Sequence, residues 1–335
     1  MNNELQKNMV QPITAARPAK PLLNGPKRQH FLPRFYLEGF TKDDGMVAVF
    51  DRELNQIRVQ QPLNTCVIGH FYTMADAEGR RRFELEQLLS EYETKGSGVI
   101  KKLAAKGAIN ADERTDLAIF VAFAAFRTPD IVDSLKAFNS GLVRDICIQT
   151  FSDVEEVKTR MRGKPDAPSS DEELETEARE LVEYAQSGQY EVTTSHLWAV
   201  SMAIRMAFII APILAGRNWA ILHRDNEKKS FVTTDAPVLL TTVAPRQNNF
   251  WGIGFGNTDA LVLFPLTESC ILAMHGSEGD LRHWTAGSEQ IRHINLALAD
   301  RCQRFVVGRD EALVRSLADH LCLAKKKWRP KMQRE

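Results

Sequence analysis

The order of hydrophobic patterns along the chain predicts an α+β fold: a mixed sheet built from both ends of the chain, with a mostly helical block inserted between the strands. Three observations lead there. Short apolar, β-branched runs bounded by turn residues occupy 46–59 and return at 219–274. Apolar residues at helical spacing dominate about 83–215. Helix and strand patterns then mix from 288 onward. The chain is accordingly read as a disordered basic leader over 1–28, a single domain over 29–320 with its helical insert at about 83–215, and a basic tail over 321–335.

Taken in order, residues 46–50 and 57–59 predict a β-hairpin closed by 51–56, and 71–74 a third short extended piece. Phe83, Leu88, Leu89 and Tyr92 form the apolar stripe of a first long helix, continued by Val99, Ile100 and Leu103 beyond Gly96 and Gly98. Asp112 is placed to cap a second helix carrying Leu117, Phe120 and Val121, which closes at Arg127, Thr128 and Pro129 because a residue before proline is biased away from helix. A third helix is expected over 131–151, then an exposed linker over 163–170 whose Ser170 or Asp171 caps an acidic helix. The most apolar segment, 197–214, is broken by Ser201, Arg205 and Pro212, and so reads as a core helix rather than a membrane span. Strands follow at 219–222, 231–233, 261–264 and 270–274, then a helix over 288–300, a strand at 305–307 and a last helix over 311–318.

Composition narrows the function classes. Lys+Arg and Asp+Glu are equal at 43 each, so no whole-molecule charge steers the protein toward nucleic acid or an anionic membrane. The ends are locally basic and the stretch 171–183 is acidic. Five scattered cysteines without a Cys-x-x-Cys pair argue against a disulfide framework or a structural zinc site, and for a reducing, cytoplasmic setting. No phosphate-binding glycine loop, nucleophile elbow or dinucleotide fingerprint is present; Gly252, Gly254 and Gly256 after Trp251 read as a mobile loop.

Residues 29–40 concentrate a histidine, a proline, an arginine and large apolar side chains: His30, Phe31, Leu32, Pro33, Arg34, Phe35, Tyr36, Leu37 and Phe40. This run resembles the opening motif of the bacterial "domain of unknown function 4238" family. The resemblance extends through Arg127-Thr128-Pro129, Trp219, the segment from Phe231 through Asp235 to Pro237 and Val238, Phe264-Pro265-Leu266, Asn295, and Arg304-Phe305-Val306. It covers about 30–307 and implies a bacterial protein of unassigned activity. The chain departs at Thr234, where serine is usual, and at Gln29, where a second histidine is common, which argues against a two-histidine metal site.

Seven residues are candidates for chemistry. His30 is a candidate general acid or base, and Asp235, at the end of an apolar strand, a candidate catalytic carboxylate. Arg34, Arg127 and Arg205 are candidate ligands for a phosphate-bearing substrate, since Arg127 and Arg205 lie in apolar helices where an unpaired guanidinium is costly. Asp51, Asp235 and Glu91 are candidate ligands of a divalent metal. Each has a structural reading too: His30 bonding a carbonyl, Asp235 and Asp51 serving turns, and Arg127 paired with Asp51, Glu84, Glu91 or Asp235. The best reading is a phosphodiester-directed, nuclease-like hydrolase. The alternatives are a non-catalytic binding or regulatory protein whose polar motifs pair internally, and a nucleic-acid-binding module acting through the basic 325–331 segment with Trp328.

Overall fold

A computed structural model describes residues 22–323, apart from Ala77, Gly163, Asp166 and residues 244–252. Of the leader expected over 1–28 and the tail expected over 321–335, residues 1–21 and 324–335 lie outside the described residues, as do Trp251 and Gly252. Residues 22–28 are tied down by backbone bonds such as Phe83 N–H to the Leu22 carbonyl and His70 N–H to the Lys27 carbonyl, and 321–323 belong to the last helix.

The described chain enters through β1 (Arg28–His30) and reaches Pro33, whose fixed φ leads into a one-turn helix, α1 (Arg34–Glu38). β2 (Val47–Asp51) and β3 (Gln56–Gln60) form the expected hairpin, turned at Asn55 in the left-handed region, which asparagine tolerates well. β4 (Val67–Gly69) returns to pair with β1, and β5 (Met74–Ala75) with β6 (Arg81–Arg82) makes a small ribbon. Six consecutive helices then form the insert: α2 (Glu84–Ala104), α3 (Ala111–Phe126), α4 (Pro129–Thr150), α5 (Val154–Arg162), α6 (Asp171–Ser187) and α7 (His196–Gly216). Ser170 and Ser195 cap α6 and α7. The α3 cap is Asn110 rather than Asp112, because Asn110 and Glu113 exchange the reciprocal bonds of a capping box.

The second half supplies β7 (Asn218–Arg224), β8 (Thr233–Thr234), β9 (Leu239–Thr242), β10 (Ala260–Thr267), β11 (Cys270–His275), β12 (Leu281–Ala286), α8 (Ser288–Arg301), β13 (Phe305–Gly308) and α9 (Glu311–Leu323). The strands make two main sheets. One is wholly C-terminal, ordered β12-β7-β11-β10-β9, with only the β12–β7 pair parallel. The other joins both ends of the chain, in the order β3-β2-β13-β8, and is antiparallel throughout. The fold is α+β, with the sheet strands divided between these two layers. Sequence pattern missed β1, α1, β4, β6, α5, β9 and β12, and its extended piece at 71–74 is a turn leading into β5. β12 alternates half-buried and exposed residues at a sheet edge and carries little apolar signal.

Period-two alternation sends each sheet's side chains to two cores. Val47, Val49 and Val307 of the four-stranded sheet, with Phe264, Leu272 and Trp219 of the five-stranded one, face the helical insert in the main core. The opposite faces are covered from outside. Val314, Leu317 and Leu321 of α9 pack on Ala48, Phe50 and Val306; Ile291, Ile294 and Leu298 of α8 pack on Leu263 and Ile271. The opening motif is a wedge between the sheets. Phe31, Leu32, Tyr36, Leu37 and Phe40 are all buried, and Tyr36 stacks on Phe264 at 5.2 Å. Its hydroxyl lies 2.8 Å from Thr233 Oγ1 and donates to the Pro265 carbonyl at 2.9 Å.

α3 and α7 form the centre of the insert. Ala199, Ala203, Ala207 and Ala211 recur at every fourth position of α7 and are buried, giving a narrow face on which α3 packs closely. Among the described residues, α7 alone has the length and apolar composition of a membrane span. Arg205 lies with Ile209 on its outer, exposed face. The expectation of an enclosed Arg205 guanidinium is therefore corrected: helical rotation places it opposite the alanine stripe.

Gly96 of α2 sits where an added Cβ would meet Phe120 Cγ at 2.9 Å, whereas Gly98 faces open space. Gly98→Ala is expected to raise unfolding stability by about 0.5–1 kcal/mol through chain entropy and helix propensity. Gly96→Ala is expected to lower it by about 1–3 kcal/mol, since packing strain outweighs the propensity gain. Urea titrations of the two variants check the opposite signs.

Candidate functional site

α3 ends where Thr128 must be extended before Pro129, leaving Arg127 as the C-cap residue with its N–H bonded to the Phe123 carbonyl at 2.9 Å. The guanidinium is driven inward and is only 1% exposed. Glu93, from the facing side of α2, accepts from Arg127 Nη1 at 2.7 Å. Glu86 lies two helical turns earlier on the same face of α2 and within electrostatic reach of both. The Arg127 carbonyl accepts from the buried Tyr72 hydroxyl at 3.1 Å, and the Tyr72 N–H donates to Gln29 Oε1 at 2.6 Å. Gln29, fully buried in β1, also donates through Nε2 to Thr73 Oγ1 at 3.1 Å. Its amide thus spends itself on the 72–73 loop. The next residue along β1 is His30, half-buried and sensing the charges of both Glu93 and Arg127.

The notable property of this cluster is what its nitrogens do not bond. Arg127 Nε and Nη2 and His30 Nε2 are buried and have no hydrogen-bond partner among the described residues. Nε and Nη2 form one side fork of the guanidinium, the geometry that matches two oxygens of a carboxylate or phosphate. Leaving such donors unbonded costs about 1–3 kcal/mol each. Titration is tuned around them. Burial lowers His30 from its ordinary value, with Arg28 and Arg127 acting the same way against a hydrogen bond to the Leu63 backbone and the Glu93 charge. Burial pushes Glu86 up to about 7, and the Glu93 charge adds to it while Arg127 opposes. Burial also works against the Arg127 charge, but Glu93, Tyr72 and Glu86 outweigh it and hold the guanidinium above its usual value. An imidazole held toward its neutral form and a carboxyl pushed up by burial therefore lie within electrostatic reach of the charged guanidinium.

Of the residues singled out in the sequence, His30 and Arg127 belong to this cluster and the others serve elsewhere. Arg34 is exposed on α1 and pairs with Glu38 four residues on, at 2.8 Å. Arg205 faces outward on α7. Asp235 is buried with its carboxylate accepting from the backbone N–H groups of Gln303 at 2.9 Å and Arg304 at 2.7 Å, so it braces the turn between α8 and β13. Burial pushes Asp235 up to about 6 against those bonds, and the Asp130 charge adds to the rise. Asp51 accepts from Arg304 Nη2 at 2.9 Å and from the Glu53 N–H at 3.1 Å, which together hold it below the usual carboxylate range although burial opposes. Glu91 is exposed on α2. Asp51, Asp235 and Glu91 thus do not assemble as a metal-ligand set. Among the described residues, no three His, Cys, Asp or Glu side chains are grouped to hold a metal ion.

Glu86, Glu93, Tyr72 and Gln29 were not read from the sequence as site residues. A signal was present for the two glutamates: they lie three before and four after buried Leu89, which places carboxylates on the inward face of α2. The actual partner of Arg127 is Glu93, not Asp51, Glu84, Glu91 or Asp235.

Removing one member of a buried ion pair strands the other, so Glu93→Ala is expected to cost about 3 kcal/mol in urea unfolding. Glu86 has the opposite linkage from a salt-bridged acid. Its folded value of about 7 exceeds the ordinary 4.5, so its contribution to stability is complete below 4.5 and is lost as pH rises through 7. Glu86→Gln removes that loss. Stability of the variant relative to wild type is expected to rise between about pH 4.5 and 7, checked by denaturant titration across the range.

The buried cluster, the opening wedge and the Asp235 turn all fall within one matched region. No curated protein matches the chain, and no solved structure matches it. A family model described as "Protein of unknown function (DUF4238)" matches residues 28–312 of the 335. The chain belongs to the DUF4238 family.

Proposed function

We propose that this protein is a phosphodiester-directed hydrolase whose reactive centre is His30, Glu86 and Arg127. The observation that carries the reading is the buried Arg127 side fork, whose Nε and Nη2 have no hydrogen-bond partner among the described residues. Two N–H groups at a fixed angle in a low-dielectric setting favour a phosphoryl group over a neutral ligand. His30, kept neutral by burial, takes a proton from an attacking water as its oxygen bonds to phosphorus. Glu86, protonated near pH 7, gives its proton to the leaving ester oxygen as the P–O bond breaks. Arg127 steadies the charge on the non-bridging oxygens. Proton return from the imidazolium to Glu86 resets the site.

This centre replaces the His30–Asp235 pairing, because the Asp235 carboxylate is engaged by two backbone N–H groups. A second reading, a non-catalytic binding or regulatory protein, is favoured by the internal pairs Asp51–Arg304 and Arg34–Glu38. Under it, the Arg127 fork holds an oxoanion without turnover. Buried thiols at Cys66 and Cys270 accord with a cytoplasmic setting.

The test is hydrolysis of a chromogenic phosphodiester and of single-stranded DNA and RNA, each with and without Mg²⁺ or Mn²⁺. Turnover is expected, falling by about 10²–10⁴ in His30→Ala and in Glu86→Gln. Absence of turnover on every substrate, or variants as active as wild type, rejects the hydrolase.

A further inference from the structure

A cavity lies away from Arg127, on the outer side of the molecule where α8 and α9 meet. It holds about 860 Å³, within the range of small-ligand sites and large enough for a nucleotide. Its lining has two parts. The apolar part is a half-buried Leu313 beside the buried Ile291 and Leu317, and Lys42, Lys228, Lys229, Arg292 and Arg309 bring five cations around it. Three carboxylates share the lining: Glu227, Glu289 and Asp310.

The carboxylates do not consume the cations. Lys42 approaches Asp310 only at 3.9 Å, and Arg309 reaches out of the cavity lining to Glu268 at 3.5 Å. Asp310 is already engaged, accepting from the Ala312 N–H at 2.7 Å at the start of α9. Lys228, Lys229 and Arg292 have no ion pair among the described residues, although all three border one open groove. The first turn of α8, which contributes Ser288 and Glu289, has no side-chain cap. Asn295 makes the floor rigid: its amide donates to the Ser230 carbonyl at 2.8 Å and accepts from the Val232 N–H at 3.1 Å, tying the lysine-bearing loop to α8. Unpaired cations around a half-buried Leu313 match a ligand with a multiply charged phosphate tail and a small apolar part.

We infer that this groove binds a nucleoside di- or triphosphate, its phosphates on Lys228, Lys229 and Arg292 and its base against Leu313, the half-buried apolar side chain of the lining. The site is independent of the hydrolase reading, since none of its lining residues belongs to the Arg127 cluster. The experiment is calorimetric titration of the full chain with ATP, ADP, adenosine and inorganic pyrophosphate. ATP and ADP are expected to bind at micromolar concentration, about 10–100 µM, and more tightly than adenosine or pyrophosphate alone. The triple variant Lys228→Ala/Lys229→Ala/Arg292→Ala, altered only at exposed positions, is expected to lose at least about tenfold in affinity while keeping its thermal unfolding midpoint. Glu86→Gln is expected to bind ATP as wild type does, which separates this result from failure of the hydrolase. Three outcomes overturn the inference: no ATP or ADP binding at about 1 mM, a triple variant that binds as well as wild type, or binding of a single-stranded oligonucleotide without binding of mononucleotides.

Discussion

Burial of the Arg127 guanidinium constrains the region where the chain's N-terminal ribbon meets its helical insert. Placing a charge in a 1%-exposed position demands a counter-charge and fixed dipoles, and each comes from a different element. Glu93 brings α2 against the end of α3; Tyr72 takes up the carbonyl left at the helix terminus; Gln29 holds the Tyr72 backbone. The cation also stands at the C-terminal end of α3, where the helix dipole favours it. A continuous path of hydrogen bonds therefore runs from β1 through the 72–73 loop to α3 and α2. His30 occupies its place because the residue before it is anchored in that path.

The same path explains why the cluster is more than an internal ion pair. Glu93 satisfies one nitrogen of the guanidinium, and the other two, buried with it, have no hydrogen-bond partner among the described residues. An apolar side chain of similar volume would fill the position without leaving donors unbonded. The Asp51–Arg304–Asp235 group is a useful contrast. There the two carboxylates receive both guanidinium and backbone donors, and they close the junction between β2, β13 and the turn after α8. One polar group completes itself and stabilises a sheet corner. The other is left short of partners beside two titratable side chains shifted toward neutrality.

The outer helices add a second level of organisation. α8 and α9 cover the outward faces of different sheets, and the shared boundary of those coverings is the cationic groove. A fold that uses two sheets rather than one makes this seam possible. Its residues come from the 227–230 loop, from Arg309 and Asp310, and from α8 and α9, segments distant in sequence that only the packing of the two helices brings together.

The sequence alone determined much of this architecture. The α+β class, the 47–60 hairpin, the long helices and the burial of the opening wedge all follow from apolar spacing, caps and proline, which act over a few residues. The resemblance read from Arg127-Thr128-Pro129, Asp235 and Arg304 likewise rested on local order along the chain, and the family match bears it out. Tertiary structure decided which polar residues meet. Asp235 and Arg127 looked equally promising as polar groups closing apolar elements, yet one faces the backbone of a turn and the other Glu93. Arg205 looked enclosed, and a rotation about the α7 axis exposes it. Glu86 and Glu93 drew no attention because a carboxylate's surroundings depend on what packs across from it, and that is set by residues distant in sequence. Periodicity identifies the face a side chain lies on; only the packed partner determines whether it is charged, paired or available for chemistry.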